Sequence, residues 1–222
     1  MNPPTATAPI DLLDAPIGAI MRAQTPVRRL RPDRIDDDTL LTLLELASHA
    51  TAGSQRRCEF VVVRDPDIRH QLARSYRQGW SIYRRVLSTR DREDALLEAR
   101  QWEADHFEDV PVIVVACVRG RRPVFSAIRA ASFYAGALPA VQNLLLAASA
   151  IGLGGAAGTL ALWSGWEARR TLGLPRSMTP VAVIPLGRPR GLPAPPAPVP
   201  PLGNLVHLDR YGHQPFRGRV RG

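Results

Sequence analysis

The sequence predicts one domain of the α+β class, in which a few short strands are combined with several helices. Three observations support this prediction. The 222 residues are 45% hydrophobic, which is enough for one sizeable core. Short runs rich in β-branched residues occur at 60–63, 111–118 and 179–186, as is typical of buried strands. Between these runs, apolar residues recur at the three- and four-residue spacing of helices.

The first half of the chain contains a capped helix, two of the strands and a long helical segment. Pro32 and the acidic run 36–38 supply turn and capping residues, and Leu40, Leu43 and Ala47 follow at helical spacing. The strands at 60–63 and 111–118 are both predicted to be buried. The polar residues 67–108 between them have the spacing of a helical excursion.

The second half begins with an unusually apolar segment, since no Asp, Glu, Lys or Arg occurs from 130 to 166. Residues 133–151 are apolar on nearly every side, which predicts one buried central helix. Pro139 and the glycines at 152–158 interrupt the segment, so we expect a glycine-rich loop and no membrane span. A capping box at Ser164 and Glu167 predicts a helix at 165–172. The strand at 179–186 leads into a proline-rich arm, in which residues 204–208 could pair as an edge strand.

The composition excludes several classes of chemistry. All 29 basic residues are Arg, so Schiff-base catalysis, pyridoxal phosphate anchoring and a P-loop, which all need a lysine, are excluded. The net charge of +9 favours binding of anions. Cys58 and Cys117 are far apart and indicate neither a disulfide framework nor a Cys-x-x-Cys site, which favours the reducing cytoplasm.

The sequence contains no recognisable catalytic or metal-binding motif. The run 152–157 fits the G-x-G-x-x-A fingerprint of dinucleotide binding, but it follows a helix where that fingerprint follows a strand. Close approach of the backbone to a flat ring explains these glycines better. The five histidines lack paired spacing, so no metal site is predicted. The arginines at 22, 28, 29, 31 and 34 form either a phosphate clamp or a solvated basic face.

Several segments together resemble the nitroreductase family, and specifically its short, actinobacterial-type single-domain members. Residues 20–33 (IMRAQTPVRRLRPD) are similar to the N-terminal arginine motif of the family, and residues 47–63 (ASHATAGSQRRCEFVVV) to its Ser-Gly-Ser-Asn segment. The most specific match is 139–154, where PAVQNLLLAA and IGLG resemble the central helix and glycine loop. Residues 172–189 and 206–212 complete the resemblance, which covers residues 18–213.

The resemblance implies a central, mostly antiparallel sheet flanked by helices, and an intertwined homodimer with two FMN sites at its interface. The domain would span 18–191, between an N-terminal arm (1–17) and a proline-rich arm (192–222) that embraces the partner. The implied activity is hydride transfer from NAD(P)H through flavin N5 to a nitroaromatic, a quinone or another small acceptor. No catalytic side chain is implied, because the flavin carries the chemistry. The implied cofactor-binding residues are Arg22, Arg28, Arg29, Ser54, Gln55, Arg57, Gln142, Gly158, Thr159 and Leu160.

The chain also departs from the family pattern, and these departures support a second hypothesis. Thr25 and Pro26 stand where the family has Arg, Ser or Ala, and a proline cannot donate an N–H to phosphate. Residues 197–201 (APVPP) replace the usual basic pair. The alternative is therefore a degenerate member that binds or sequesters flavin, or regulates a partner, without turnover. A nucleic-acid-binding module is a third hypothesis, for which the sequence lacks a basic patch interleaved with aromatic residues.

Overall fold

The structure is a computed structural model that describes residues 16–50, 58–86, 94–123, 125–192, 195 and 198–218. Its helices and strands follow the order predicted from the sequence, with some additions. The helices are α1 (Ile17–Ala23), α2 (Asp37–Ser48), α3 (Pro66–Val86), α4 (Asp94–Asp105), α5 (Ala127–Ala135), α6 (Leu138–Ala150), α7 (Gly165–Thr171) and α8 (Leu202–Leu205). The strands are β1 (Cys58–Val63), β2 (Val112–Arg119), β3 (Gly154–Gly155) and β4 (Met178–Gly187). A short 3-10 turn covers Leu160–Leu162.

The four strands form one antiparallel sheet in the order β1-β2-β4-β3, which confirms the predicted α+β class and antiparallel sheet. The central strand β2 is buried from Val112 to Val118, and β4 is buried over most of its length. The prediction that 60–63 is a buried strand is wrong in part. Strand β1 lies at the edge of the sheet, so Val62 is exposed and only Val63 is buried.

Alternation along β2 divides the core between the two faces of the sheet. Val112, Val114 and Ala116 belong to a cluster with residues of α2, α5 and α6. Ile113 and Val115 belong to a second cluster with residues of α3 and α4. The helical excursion predicted at 67–108 is confirmed as α3 and α4, and it covers this second face.

The prediction of one central helix over 133–151 is wrong, because the structure has two helices, α5 and α6, separated by Gly136 and Ala137. Pro139 explains the interruption. A proline lacks an N–H and fits only the first turn of a helix, so a new helix begins at Leu138. The prediction that this segment is buried on every side is also wrong, since Leu138 and Gln142 are exposed.

Taken together, residues Ala127–Ala150 are long and apolar enough to cross a membrane, and they form the one such segment within the described residues. Leu144 and Ala148, however, lie in the core against the sheet. The inner face of α6 therefore packs like the core helix of a globular domain.

The ends of the domain differ from the sequence-based expectation. Helix α1 was not predicted and lies at the boundary assigned to the N-terminal arm. The edge strand suggested for 204–208 is wrong, because α8 occupies its first residues, where the Val206 N–H donates to the Leu202 carbonyl. The helix predicted at 165–172 is confirmed as α7, whose Ser164 hydroxyl accepts from the Glu167 N–H as a cap.

Candidate functional site

The glycine loop after α6 is shaped by close contacts between backbone segments. The Val27 N–H donates to the Gly155 carbonyl at 3.0 Å. A Cβ added to Gly154 would lie 2.7 Å from the Val27 Cβ, and one added to Gly155 would lie 2.6 Å from the Pro185 carbonyl oxygen. Both positions therefore require glycine. The close neighbours of these two glycines belong to the protein itself, namely Val27 and strand β4.

The chain then continues along the edge of β4 to Gly158, which forms an isolated bridge with Val183. The Gly158 N–H donates to the Val183 carbonyl at 2.9 Å and the Val183 N–H donates back at 2.8 Å. The flanking Ala157 and Thr159 N–H groups and the Thr159 hydroxyl form no hydrogen bond with other described residues. Gly158 itself has open space where a side chain would stand. The loop thus offers donors and room on the side away from the sheet.

A cavity of about 430 Å³ lies beside this loop. It is enclosed by the loop, by the segment before α2 and by the hairpin of α3 and α4. The residues that line it are Arg28, Tyr76, Tyr83, Arg100, Glu103, Ala156, Ala157, Gly158, Thr159, Leu160 and Trp163. We call it the Arg28 cavity.

The inner wall of the Arg28 cavity is a buried polar cluster. Glu103 is 7% exposed and Tyr76 4% exposed. The Arg28 Nε lies 3.2 Å from a Glu103 carboxylate oxygen, and the Tyr76 hydroxyl donates to the same oxygen at 3.0 Å. Burial raises the pKa of Glu103 although the Arg28 ion pair and the Tyr76 hydrogen bond lower it. Burial, together with the neighbouring Glu103 carboxylate, also raises the pKa of Tyr76.

This cluster fixes the orientation of Arg28. Its Nε is held by Glu103, and its two terminal guanidinium nitrogens form no hydrogen bond or ion pair with other described side chains. A guanidinium whose free edge faces a cavity is suited to hold an oxyanion through two parallel hydrogen bonds.

The rim of the Arg28 cavity is aromatic and more exposed. Tyr83 is 39% exposed and Trp163 is 52% exposed. The guanidinium carbon of Arg100 lies 5.6 Å from the centroid of the Tyr83 ring. Trp80 packs behind Tyr83 with ring centroids 6.0 Å apart and donates from its indole nitrogen to the Gln101 side chain. The rim therefore presents flat rings and one cation.

A second cavity, of about 420 Å³, is lined by Val27 and Gly155, which are joined by the hydrogen bond described above. Its lining includes Gln24, Thr25, Arg31 and Arg188. The Arg31 side chain forms an ion pair with Asp33 at 2.7 Å, and the backbone N–H of Arg31 donates to the Arg188 carbonyl. This cavity is also basic, and Val27, which lines it, precedes Arg28 of the first cavity in the chain.

The structure brings together four of the cofactor-binding residues implied by the sequence. Arg28, Gly158, Thr159 and Leu160 line one cavity. Three others, which are exposed and line neither of these two cavities in the described part of the chain, are Arg22 on α1, Arg29 before Leu30 and Gln142 on α6. Ser54, Gln55 and Arg57 lie outside the described residues.

Sequence reasoning missed the other half of the cavity, namely Tyr76, Tyr83, Arg100, Glu103 and Trp163. One signal was present. Within the helical segment predicted at 67–108, Glu103 stands four residues before Phe107, so helical spacing places a carboxylate on the same side as an aromatic residue, where it is unexpected unless it is paired. In the structure α4 ends at Asp105, and both Glu103 and Phe107 are buried.

Comparisons with known proteins give the family and the fold. The NADPH:FMN oxidoreductase from Vibrio harveyi, solved with NAD+, superimposes with a TM-score of 0.67 at 19% identity, covering 90% of this chain and 80% of that chain. The NfrA1 nitroreductase from B. subtilis gives a TM-score of 0.70 at 16% identity, covering 92% and 78%. An iodotyrosine deiodinase bound to FMN and 3-iodo-L-tyrosine gives a TM-score of 0.69 at 20% identity, covering 89% of this chain and 99% of that chain.

At these identities the solved structures establish the fold alone. No curated protein matches the sequence. The model of the nitroreductase family matches residues 22–188, which is well over half of the chain. This span contains the glycine loop, the Arg28 cavity and all four strands, and the chain therefore belongs to the nitroreductase family.

Proposed function

We propose that the protein is an FMN-dependent oxidoreductase that takes hydride from NAD(P)H and delivers it to a nitroaromatic, a quinone or another small acceptor. Membership of the nitroreductase family supports this proposal. The observation that carries it is the Arg28 cavity, which combines an oriented guanidinium with a loop of small residues and free N–H groups.

The residues of the Arg28 cavity fit a flavin. Its volume of about 430 Å³ lies within the range of roughly 300–1,000 Å³ that is typical of cofactor sites. The loop from Ala156 to Leu160 has only small side chains before Leu160, and Gly158 leaves its side open. A flat ring can therefore approach the backbone closely, with the Ala157 and Thr159 N–H groups as donors to its polar edge.

The phosphate of FMN is a dianion and needs positive groups. The free edge of Arg28 is the best-placed group for it, and we propose Arg22 and Arg29 as additional contributors from the same segment. The second cavity, with Thr25 and Arg188 in its wall, extends the basic surface beyond Val27. In this chain, residues 197–201 replace the basic pair that is usual in the family. We propose that the basic surface of the second cavity attracts the phosphate in place of that pair.

In this proposal, bound FMN supplies the hydride chemistry. The side chains of the protein bind and orient the FMN and the acceptor, and they exclude water from the site. Glu103 and Tyr76 hold Arg28 in place, and the α3 and α4 hairpin covers the cavity. No side chain is assigned a catalytic acid or base role.

The first experiment measures flavin content and turnover of the purified chain. We expect a flavin absorbance band that bleaches when NADPH is added without oxygen. A band that resists bleaching by NADPH and NADH would favour the alternative of a degenerate flavin-binding protein. A colourless chain that also fails to bind added FMN would refute both.

The second experiment tests Arg28 itself. Arg28→Ala removes a charged hydrogen-bond donor, and a loss of about 1.5–3 kcal/mol corresponds to roughly ten- to hundred-fold weaker FMN binding. The matched control is Arg34→Ala, because Arg34 is exposed and lines neither cavity. An FMN titration in which both variants bind like the parent chain would remove Arg28 from the site.

We also infer that the protein is a homodimer in the cytoplasm. Exposed apolar side chains occur on two parts of the surface, around α5 and α6 and along the C-terminal arm, and they need a cover. They are Phe125, Ile128, Leu138, Leu202, Leu205 and Tyr211. Sedimentation at micromolar concentration should give twice the mass of one chain, and a monomer with bound flavin would contradict the interface.

The cytoplasmic location is inferred from the two cysteines. Cys58 and Cys117 are free thiols, as in a reducing compartment.

A further inference from the structure

We propose that the rim of the Arg28 cavity selects a flat aromatic acceptor that carries a carboxylate, with Arg100 as the partner of the anion. This inference rests on the proposed function, because it names the class of acceptor for the same cavity. The rim is defined by Tyr83, Arg100 and Trp163.

The charge of Arg100 is the first observation. Arg100 forms no salt bridge with any carboxylate of the described residues; its guanidinium lies over the Tyr83 ring, and its charge also reaches Glu103, whose pKa it lowers. Glu103 is the one carboxylate in the described lining, and Arg28 and Tyr76 already hold it. The cavity thus contains two guanidinium groups and one carboxylate. Arg28 is already assigned to Glu103 and to the FMN phosphate, so Arg100 is the cation of the described lining that remains for an acceptor at the rim, where it would attract an anion and repel a cation.

The aromatic surface is the second observation, and it is independent of the charge. Tyr83 and Trp163 are large side chains that remain partly exposed while lining a cavity. Exposed rings at the mouth of a concave site favour planar ligands, which bury the ring faces by stacking.

The position of Trp163 is fixed by the neighbouring helix. A Cβ added to Gly79 of α3 would lie 2.9 Å from the Leu160 carbonyl oxygen and 3.0 Å from the Trp163 Cβ. Helix α3 therefore packs directly on the segment that carries Trp163, and the same helix carries Tyr83. Helix α3 thus holds Tyr83 and the Trp163 segment beside each other, and Arg100 of α4 lies over the Tyr83 ring, so the three groups are placed together before a ligand binds.

The test compares two probes that differ in charge and little in shape, para-nitrobenzoate and para-nitrobenzamide. Binding to the purified chain, with FMN added in excess, is measured by calorimetry. We expect the benzoate to bind about ten- to hundred-fold more tightly than the amide, and the difference to shrink as salt is added. Arg100→Gln should abolish this preference while the variant retains its FMN.

The matched control is Arg84→Gln. Arg84 lies on the same hairpin and donates to the Gln101 side chain, but it is exposed and does not line the cavity. It should keep the preference for the benzoate. Arg100→Lys keeps the charge but not the planar fork, so it should give an intermediate preference.

The outcomes separate this inference from the proposed function. Equal binding of both probes, binding of neither probe, an unchanged preference in Arg100→Gln, or an equal loss in Arg84→Gln would each overturn the role of Arg100. A chain that discriminates between the probes but neither binds FMN nor responds to NAD(P)H would overturn the proposed function alone. A chain that binds FMN and is bleached by NADPH without discriminating would overturn this inference alone.

Discussion

The two faces of the central sheet are built from the same strands but differ in chemistry. On one face, β2 contributes Val112 and Val114 to a cluster formed with α2, α5 and α6. The buried side chains of this cluster are aliphatic, with the exception of Phe133. On the other face, β2 contributes Ile113 and Val115 to a cluster that includes Tyr76 and Trp80 and adjoins the buried Glu103. We call them the aliphatic face and the cavity face.

The difference shows which side of the sheet in this chain is closely packed and which side contains the cavity. On the aliphatic face, helices pack their apolar sides directly on the sheet, and shape complementarity is the main requirement. On the cavity face, α3 and α4 stand over a space of about 430 Å³, and the polar groups of its inner wall satisfy one another. Substitutions on the two faces should therefore affect different properties.

The largest expected effect is on the aliphatic face. Leu144 is fully buried in α6, and Leu144→Ala should lower the free energy of unfolding by about 2–5 kcal/mol through lost burial and a residual cavity. Because Leu144 lines neither cavity, the FMN affinity of the folded fraction should be unchanged. Urea unfolding measures the first property and flavin titration the second. Leu41→Ala, at a 64% exposed position on α2, should change stability by less than about 0.5 kcal/mol.

If the loss of FMN binding free energy in Leu144→Ala were as large as the loss of unfolding free energy, the two faces would be energetically coupled. Substitutions on them would then not affect different properties. A small stability loss, within the range of the Leu41 control, would show that α6 does not depend on its packing against the sheet.

The sequence predicted the helices and strands better than it predicted the lining of the Arg28 cavity, and the physical reason is that helices and strands follow from local signals. The capping residues at Asp36 and Ser164 and the β-branched run of β2 are local signals, and the structure confirms the elements they predicted. The break between α5 and α6 also has a local signal in the sequence, because Pro139 fits only the first turn of a helix. In contrast, the contact between Arg28 and Glu103 joins residues far apart in sequence, and no local pattern encodes such a pairing.

The next largest effect compares two glycines of one loop. Gly155→Ala would place a Cβ 2.6 Å from the Pro185 carbonyl oxygen, so the backbone must shift and we expect a loss of about 1–3 kcal/mol. Gly158→Ala meets open space and should change stability by less than about 0.5 kcal/mol. It should nevertheless weaken FMN binding, because its methyl group occupies the Arg28 cavity.

Thermal unfolding and flavin titration of the two variants measure both properties. If Gly158→Ala were unstable but still bound a full complement of flavin, this glycine would be needed only for the backbone bridge with Val183. Gly165→Ala is the control, because it also has open space but lies at the start of α7, outside both cavities.

The smallest effect concerns the pH dependence of stability on the cavity face. Because burial raises the pKa of Glu103, the folded chain keeps a proton that the unfolded chain releases above the ordinary value of 4.5. The free energy of unfolding attributable to Glu103 should therefore fall as the pH rises from 4.5 through the raised pKa. Glu103→Gln cannot titrate, so the stability of the parent chain relative to this variant should decline over that window.

Tyr76→Phe sharpens this prediction, because the Tyr76 hydrogen bond is one of the interactions that lower the pKa of Glu103. Its loss should raise that pKa further and move the decline to higher pH. Urea unfolding of the three proteins between pH 4.5 and neutrality measures the effect. All other titrating groups are shared, so the difference between parent and variant isolates Glu103. A difference that grows with pH would mean that the ion pair with Arg28 outweighs burial, and that Glu103 stays ionised behind the cavity.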